Sequence, residues 1–355
     1  MIKRGLTVAY ILIATGCFTA KGEDLSMGAY YYPWYHSDGR HWEDGYNGVS
    51  QGLEPALSEY SSRSGSTLVK HIEWSKQLGI DHWICSWWGR QSWEDETLRQ
   101  HTGPALERSG PTAPKLCLFY ESPGILNFDP DKGINFDLPQ NTRQLVEDFD
   151  YLARHYFNHP NYLKINDRPV LYLYLSRTFT GDYENAIDLA RTAAQAQGFN
   201  PFLIGDEVFW GSPDRHRISC FDAITAYNMH GPAHFANLSD WSLFLKETEA
   251  VYANYRDVAR SVSVGFIPGV LPGFDARDAS GDYYVIPRSL SPESAPGSTL
   301  NAFLDLARRQ TDPDLKTIVI TSFNEWHEGT QIEPRIGDLP LSPLIPESTS
   351  AIDAN

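Results

Sequence analysis

The residues best suited to chemistry form a dense polar cluster near the C-terminal end of the chain. The cluster directly follows an apolar, β-branched run and consists of Asn324, Glu325, Trp326, His327 and Glu328. Carboxylates are costly to bury without partners, so two of them at the end of a buried strand indicate a polar pocket. Glu325 and Glu328 are three residues apart, and one turn brings their carboxyl groups to the same side. Such a pair is suited to general acid and general base catalysis.

Two other interpretations of the cluster have to be weighed. One is a solvated acidic loop, since the formal net charge of the chain is −16. A loop of that kind seldom combines an indole, an imidazole and an amide with two carboxylates, so we favour the pocket. The other is a metal site around His327, which His36, His41 and His230 could approach. No HExxH motif, DxD cluster or closely spaced histidine pair occurs, so we expect no metal and no cofactor.

The elements that must position the cluster alternate between strand and helix along most of the chain. Strands are predicted at 27–33, 80–87, 115–121, 169–175, 202–209, 221–227, 264–270 and 317–323. Helices are predicted at 67–78, 95–108, 141–157, 183–197, 238–261 and 299–310, with Asn141 as an N-cap. Segment 211–219 is too short and polar for a full covering helix. Eight alternations predict one (β/α)8 TIM barrel over 23–340, with an incomplete last unit.

Active sites of such barrels lie at the C-terminal ends of the strands. Aromatic and acidic residues occupy the predicted ends or follow them closely: Tyr31, Tyr32, His41, Trp42, Trp87, Trp88, Glu121 and Tyr227. Tyrosine and tryptophan combine an apolar face with a polar tip, which suits sugars. Glycoside hydrolysis needs an acid and a second carboxylate. The pattern is therefore typical of a glycosidase cleft, although any single aromatic residue is more often part of a core.

The ends of the chain carry separate predictions. Lys3 and Arg4 precede a short apolar stretch at 6–14, which is typical of a signal peptide over 1–22. Cys17 is a candidate for lipidation, and ordinary cleavage near residues 20–22 is the alternative. We therefore expect an exported protein that is periplasmic, cell-surface or secreted, with membrane attachment only through Cys17. The Pro- and Ser-rich tail, 341–355, is expected to be poorly ordered.

Charge and cysteine content bound the partners further. The net charge of −16 argues against nucleic-acid binding, which relies on a basic surface. Cys85, Cys117 and Cys220 match no zinc pattern and lie in apolar runs, so we expect buried free thiols.

Several motifs together resemble a known enzyme family. YYPWY at 31–35, HW at 41–42, SWWG at 86–89 and above all SFNEWHEGTQIEP at 322–334 are similar to glycoside hydrolase family 99, the endo-α-mannosidases. The similarity extends over roughly 30–334. It implies a (β/α)8 barrel that cleaves within chains of α-mannosides, with retention of configuration and without a metal.

The resemblance also implies residue roles. Glu325 corresponds to the base that takes the proton from the sugar's own O2, which then attacks C1 and forms a 1,2-anhydro sugar. Glu328 corresponds to the acid that protonates the leaving oxygen. The remaining predicted substrate-binding residues are Tyr31, Tyr32, His41, Trp42, Trp87, Trp88, Glu121, Tyr227, Asn324 and Trp326.

The predicted function is thus a retaining, endo-acting hydrolase of α-mannosidic linkages in mannan or high-mannose glycans. The sequence departs from the family at WWGRQSW, where a Pro-rich continuation is usual, and at FYE, where the family has HIE. Two alternatives stay open. One is an endo-glycosidase for another α-glycan, and the other is a non-catalytic, glycan-binding surface lipoprotein on a hydrolase-like barrel.

Overall fold

The structure is a computed structural model that describes residues 25–42, 54–230, 241–276, 285–338 and 341–345. The predicted signal peptide, including Cys17, and most of the predicted tail lie outside the described residues. No helix in the described ranges is long and apolar enough to cross a membrane.

The strands, in chain order, are β1 (Ser26–Tyr31), β2 (His82–Trp87), β3 (Lys115–Tyr120), β4 (Phe128–Asp129), β5 (Gly133–Asn135), β6 (Lys164–Ile165), β7 (Arg168–Leu173), β8 (Phe179–Thr180), β9 (Phe202–Asp206), β10 (Ala223–Thr225), β11 (Gly265–Ile267), β12 (Gly269–Val270) and β13 (Thr317–Ile320). The helices are α1 (Gly65–Leu78), α2 (Trp93–Thr97), α3 (Gly103–Arg108), α4 (Ser122–Ile125), α5 (Pro139–His155), α6 (Tyr183–Ala196), α7 (Arg215–Ile218), α8 (Ser242–Ser261) and α9 (Ser298–Gln310).

The large sheet is a closed parallel barrel. Its hydrogen-bonded order is β11, β10, β9, β7, β3, β2, β1, β13 and β12. Only Pro268 separates β11 from β12, and its carbonyl accepts a bond from the Val319 amide at 3.2 Å. The two short strands are therefore halves of one barrel strand, since β11 pairs with β10 and β12 with β13. Counted this way the ring has eight positions, which confirms the predicted TIM-barrel fold.

Helices cover the outside of the barrel unevenly. α1, α5, α6, α8 and α9 are long, whereas the β9–β10 connection holds only the four-residue α7, as the polar segment 211–219 predicts. After β13, the described residues contain no helix, which agrees with an incomplete last unit. β4, β5 and β8 form a small separate sheet beside the barrel.

Side-chain alternation along the strands divides the aromatic residues between two environments. Tyr30 points into the barrel, where its ring lies 4.7 Å from Phe119 and 6.0 Å from Tyr172, measured between centroids. Tyr31 points outward, stacks on Trp83 at 4.3 Å and hydrogen-bonds His71 of α1 at 3.0 Å. The barrel interior below the strand ends is thus a packed aromatic core.

Local differences from the sequence predictions have physical causes. α5 begins at Pro139, because proline is pre-organised for a first helical turn, so the prediction of Asn141 as N-cap is wrong. The Asn141 side chain instead accepts the Asn127 amide at 2.8 Å and bonds the Asn135 carbonyl. The predicted helix at 95–108 is divided by a π-helical turn, Leu98–Thr102. Cys85 and Cys117 are buried free thiols as predicted, whereas Cys220 is only half-buried.

Candidate active site

A cavity of about 560 Å³ opens at the C-terminal ends of the barrel strands. It is lined by aromatic rings, carboxylates and a few other polar groups: Tyr32, Trp34, Arg40, His41, Trp88, Glu94, Phe119, Glu121, Pro123, Tyr174, Arg177, Tyr227, Asn228, His230, Phe274, Ala276, Glu325, His327 and Glu328. The composition is that of a site for a polar ligand with apolar faces.

The loop after β13, which we call the glutamate loop (321–333), is fixed to β1 through Asn324. The Asn324 Oδ1 atom accepts the Tyr32 backbone amide at 2.7 Å, and its Nδ2 donates to the Tyr32 carbonyl at 2.9 Å. The Tyr35 hydroxyl donates to the Asn324 carbonyl at 3.0 Å. Ser322 Oγ accepts the Glu325 amide at 2.7 Å. The backbone pairing between β1 and β13 ends before this point, and the buried Asn324 side chain continues it by bonding the Tyr32 backbone. Glu325 is the next residue and is held in place by these bonds.

A second anchor lies behind the loop, on the side away from the cavity. Trp326 Nε1 donates to Glu333 Oε2 at 2.7 Å, and the Tyr60 hydroxyl donates to the same atom at 2.8 Å. Glu333 Oε1 lies 3.0 Å from His71 Nε2, and His71 Nδ1 bonds the Tyr31 hydroxyl. Every member of this network is buried, so it stabilises the loop from behind and does not contact a ligand.

Arg288 holds the far end of the glutamate loop. Its guanidinium donates to the Gly329 carbonyl at 2.7 Å and to the Gln331 carbonyl at 2.5 Å. Burial lowers the pKa of Arg288 to about 10, which leaves it charged at neutral pH. The Asp275 amide donates to the Glu328 carbonyl at 2.7 Å. Segments 271–276 and 285–288 therefore fix the backbone that carries Glu328.

Glu325 has a partner that Glu328 lacks. Glu325 Oε1 accepts the His327 amide at 2.9 Å and also lies 2.9 Å from His327 Nδ1. The other imidazole nitrogen, Nε2, lies 2.7 Å from the His41 carbonyl. The imidazole and the backbone amide of His327 therefore contact the same carboxylate oxygen of Glu325.

Glu328 is surrounded by weaker donors. The Tyr227 hydroxyl and Asn228 Nδ2 each lie 3.3 Å from its Oε2 atom. Burial and the neighbouring charge of Glu325 raise the pKa of Glu328 to about 8, although both donors and His327 act in the opposite direction. A carboxyl group with this pKa holds its proton at neutral pH and can donate it.

A third carboxyl group, Glu121, faces the same cavity from the end of β3. Ser86 Oγ donates to its Oε1 at 2.6 Å and in turn accepts a bond from Trp88 Nε1 at 2.9 Å. Burial raises the pKa of Glu121 to about 8, against the effect of the Ser86 bond and with added repulsion from Glu325 and Glu328. Its pKa therefore does not distinguish it from Glu328 as a candidate acid.

The structure brings seven of the predicted site residues to the cavity: Tyr32, His41, Trp88, Glu121, Tyr227, Glu325 and Glu328.

Five predicted site residues do not line the cavity, because their side chains point into the protein: Tyr31, Trp42, Trp87, Asn324 and Trp326. Trp87 lies on the outer face of β2 and donates to Asp95 Oδ1 of α2 at 2.9 Å. Trp42 donates to the Tyr60 carbonyl at 2.9 Å. Tyr31, Asn324 and Trp326 belong to the two loop anchors described above.

The sequence reasoning missed several cavity residues that strand alternation would have found. Phe119 precedes Glu121 by two residues, so both point to the same side of β3. Tyr174 relates to the interior Tyr172 in the same way. Trp34, which stacks on His41 at 4.6 Å, and Asn228 lie in irregular segments where no such period applies. The Oδ1 atom of Asn228 is buried and has no hydrogen-bond partner among the described residues, which leaves an acceptor for a ligand hydroxyl.

The two arginines that line the cavity lie beside carboxylates, although Arg40 Nε has no hydrogen-bond partner among the described residues. Arg177 bonds Asp206, and Arg40 Nη2 lies 3.6 Å from Glu94 Oε1. Among the described residues, no group of three or more His, Cys, Asp or Glu side chains is arranged to hold a metal ion.

The chain is similar to proteins that are named for activity on carbohydrates. A family model described as "Glycosyltransferase WbsX" matches residues 136–337, more than half of the chain. The glycoprotein endo-alpha-1,2-mannosidase of Mus musculus is 25% identical over 357 residues, covering 87% of this chain and 67% of that protein. The Rattus norvegicus protein of the same name is 26% identical over 349 residues, with the same coverage.

A solved structure shows the same fold. The GH99 endo-alpha-mannosidase of Bacteroides thetaiotaomicron, in complex with bis-tris-propane, superposes with a TM-score of 0.64 at 22% identity and covers 88% of each chain. The predicted resemblance to glycoside hydrolase family 99 is therefore confirmed, and the prediction of a glycoside hydrolase agrees with these relatives. The chain belongs to the family described as glycosyltransferase WbsX and is a GH99-like (β/α)8-barrel protein.

Proposed function

We propose that this protein is a retaining glycoside hydrolase that cleaves α-mannosidic linkages within mannan or high-mannose glycans. The observation that carries the proposal is the unlike surroundings of Glu325 and Glu328 in one cavity. Glu325 contacts an imidazole, whereas Glu328 is buried beside another carboxylate and has a pKa of about 8. One group suits a base and the other an acid. The names of the mouse, rat and bacterial relatives support α-mannosides as substrates.

In the first step, Glu325 takes the proton from O2 of the sugar, and O2 attacks C1 from the side opposite the leaving oxygen. Glu328 donates its proton to that oxygen as the glycosidic bond breaks. The product is a 1,2-anhydro sugar, with Glu325 protonated and Glu328 ionised. The carboxyl groups thus exchange protonation states, which their shared cavity permits.

In the second step, ionised Glu328 removes a proton from water, and the oxygen of that water attacks C1. The C1–O2 bond breaks, and Glu325 returns its proton to O2. Two inversions at C1 give overall retention. In an α-mannoside O2 and the leaving oxygen are trans-diaxial, so O2 can attack; in an α-glucoside they are cis-related and it cannot. The mechanism therefore requires an α-mannoside as the substrate and excludes an α-glucoside.

Transfer to a sugar acceptor is a second candidate, because the matching family model is described as a glycosyltransferase. A nucleoside-diphosphate sugar donor carries two phosphates and needs unpaired cations or a metal. The arginines that line the cavity are paired with Glu94 and Asp206, and four glutamates line the same cavity. These charges favour an uncharged glycan over a nucleotide sugar.

The experiment is to incubate purified protein with α-mannan, glucosylated high-mannose glycans and α-1,3-glucan, and to separate the products. We expect internal cleavage of the α-mannosides and a product that first appears as the α-anomer by NMR. Glu325→Gln and Glu328→Gln are the matched controls. Cleavage of α-1,3-glucan instead would change the substrate class. Tight binding without turnover would indicate the non-catalytic surface protein, and transfer from a nucleotide sugar would indicate a transferase.

We also propose that the protein is exported, as the basic residues Lys3 and Arg4 and the apolar stretch at 6–14 support. Intact-mass measurement of the native protein should then show the loss of about the first twenty residues. A gain the size of a diacylglycerol would indicate lipidation at Cys17, whereas a full-length mass would contradict export.

A further inference from the structure

The contacts of His327 fix the number of protons on its imidazole and on Glu325 together. Nε2 lies 2.7 Å from the His41 carbonyl oxygen. A carbonyl only accepts hydrogen bonds, so Nε2 must carry a hydrogen. Nδ1 lies 2.9 Å from Glu325 Oε1, which requires a second proton between these two atoms. The pair therefore holds two protons in total.

The ring orientation follows from the same contacts. Turning the imidazole over would exchange nitrogen for carbon at both positions, so that neither the His41 carbonyl nor Glu325 would meet a donor. Only the observed orientation makes both bonds.

The location of the second proton depends on the groups around the pair. Glu325 Oε1 also accepts the His327 backbone amide, which favours a carboxylate over a carboxylic acid. Most titratable groups around the pair are acidic or phenolic: Glu94, Glu121, Glu328, Tyr32, Tyr35, Tyr174 and Tyr227. The basic groups that line the same cavity are His41, His230, Arg40 and Arg177, and the two arginines lie beside Glu94 and Asp206. The Tyr35 ring stacks near the imidazole at 5.8 Å. These surroundings favour a cation on His327.

We propose that His327 is a positioning residue: as an imidazolium, it keeps Glu325 ionised and commits Oε1, so that Oε2 alone is the base. Among the described residues, no hydrogen bond to Oε2 is present, and Glu325 lines the cavity. His327 thereby decides which of two neighbouring glutamates gives up its proton. The catalytic meaning of this arrangement rests on the proposed function, but the protonation state does not.

The direct test is ¹⁵N NMR of the whole protein labelled at its 11 histidines. We expect the His327 signals to show both nitrogens protonated at pH 7.5, where an unperturbed histidine is mostly neutral. His82 provides an internal contrast, because it is buried without a carboxylate partner and burial lowers its pKa to about 4. A neutral His327 with hydrogen on Nε2 alone would overturn the proposal, because the proton would then be on Glu325.

Two variants assign the signal and measure its consequence. In Glu325→Gln the His327 signals should move to those of a neutral ring, because the negative partner is lost. His327→Asn removes the charge and should lower kcat/KM by about 10²-fold, equally for good and poor leaving groups. It should also move the acidic limb of the pH profile upward, because the variant removes the His327 contact to Glu325 Oε1.

The control variant is His216→Asn, on the exposed surface of α7, which should leave rates and pH profile unchanged. Added imidazole should restore part of the activity of His327→Ala. A His327→Asn protein that unfolds more easily but keeps its pH profile would show a merely structural role and overturn the proposal. If no substrate were found for any form, the NMR result would still decide the protonation state.

Discussion

The hydroxyl oxygen of Tyr227 lies 3.3 Å from Oε2 of Glu328 and also meets the hydroxyl of Tyr32. One short chain thus joins the acid to the ends of β10 and β1. A donor to a carboxylate favours its ionised form, so Tyr227 limits the rise in the pKa of Glu328 that burial and Glu325 produce. The pKa of Glu328 therefore results from opposing effects: burial and Glu325 raise it, and Tyr227 lowers it.

Tyr227→Phe should shift the alkaline limb of the kcat/KM profile to higher pH. Loss of the donor destabilises the ionised carboxylate, so the pKa of Glu328 rises and the proton is retained longer. The bond is long, so a shift of about one pH unit or less is expected. Tyr183→Phe on α6, away from the cavity, is the control. A shift to lower pH would contradict the role given to Tyr227.

The unmodified enzyme should lose activity as the pH rises through about 8, the pKa of Glu328. The sign follows from its role, because the first step requires the protonated acid and that form disappears above the pKa. Glu328→Gln should remove this limb. A limb near pH 8 that persists in Glu328→Gln would assign the acid to another residue, with Glu121 the first candidate.

Glu121→Gln separates these two carboxyl groups. If Glu121 binds a sugar hydroxyl beside Trp88, the variant should raise KM about tenfold, the value of one hydrogen bond. Its effect should be the same for good and poor leaving groups. A loss confined to poor leaving groups would make Glu121 the acid.

Arg288→Met should destabilise the fold, because the carbonyls of Gly329 and Gln331 would lose their buried donor. We expect a loss of about 2–4 kcal/mol in the free energy of unfolding, measured by urea denaturation. Arg308→Met, at an exposed position of α9, should change it by less than about 0.5 kcal/mol. Equal effects of the two variants would mean that Arg288 does not hold the glutamate loop.

The barrel and the glutamate pair were predictable because they depend on short-range patterns. Alternating apolar strands and helices determine the barrel, and a polar cluster after the strand at 317–320 marks the site. The outward direction of Tyr31 and Trp87 was also available in principle. Each is adjacent in sequence to a cavity residue, Tyr32 or Trp88, and neighbouring strand residues face opposite sides.

Other features depend on contacts between distant segments. Trp326 lies between two cavity residues in sequence, yet it turns away because Glu333, seven positions later, accepts its indole hydrogen. Arg288 bonds carbonyls more than forty residues away, and the His41 carbonyl meets His327 across 286 positions. Neither the hydrophobic periodicity nor the composition of the sequence indicates such bonds. The residues that position the site could therefore be identified only from the structure.

The most direct test of the central claim compares Glu325→Gln and Glu328→Gln on two α-mannosides, one with a poor leaving group and one with a good one. Glu328→Gln should lose about 10²–10⁴-fold more activity on the poor leaving group, because a good one needs little protonation. Glu325→Gln should lose activity equally on both, since O2 must be activated whatever leaves. Equal losses for Glu328→Gln, or a stable covalent adduct on Glu325 from a 2-fluoro α-mannoside, would contradict the assignment of acid and base.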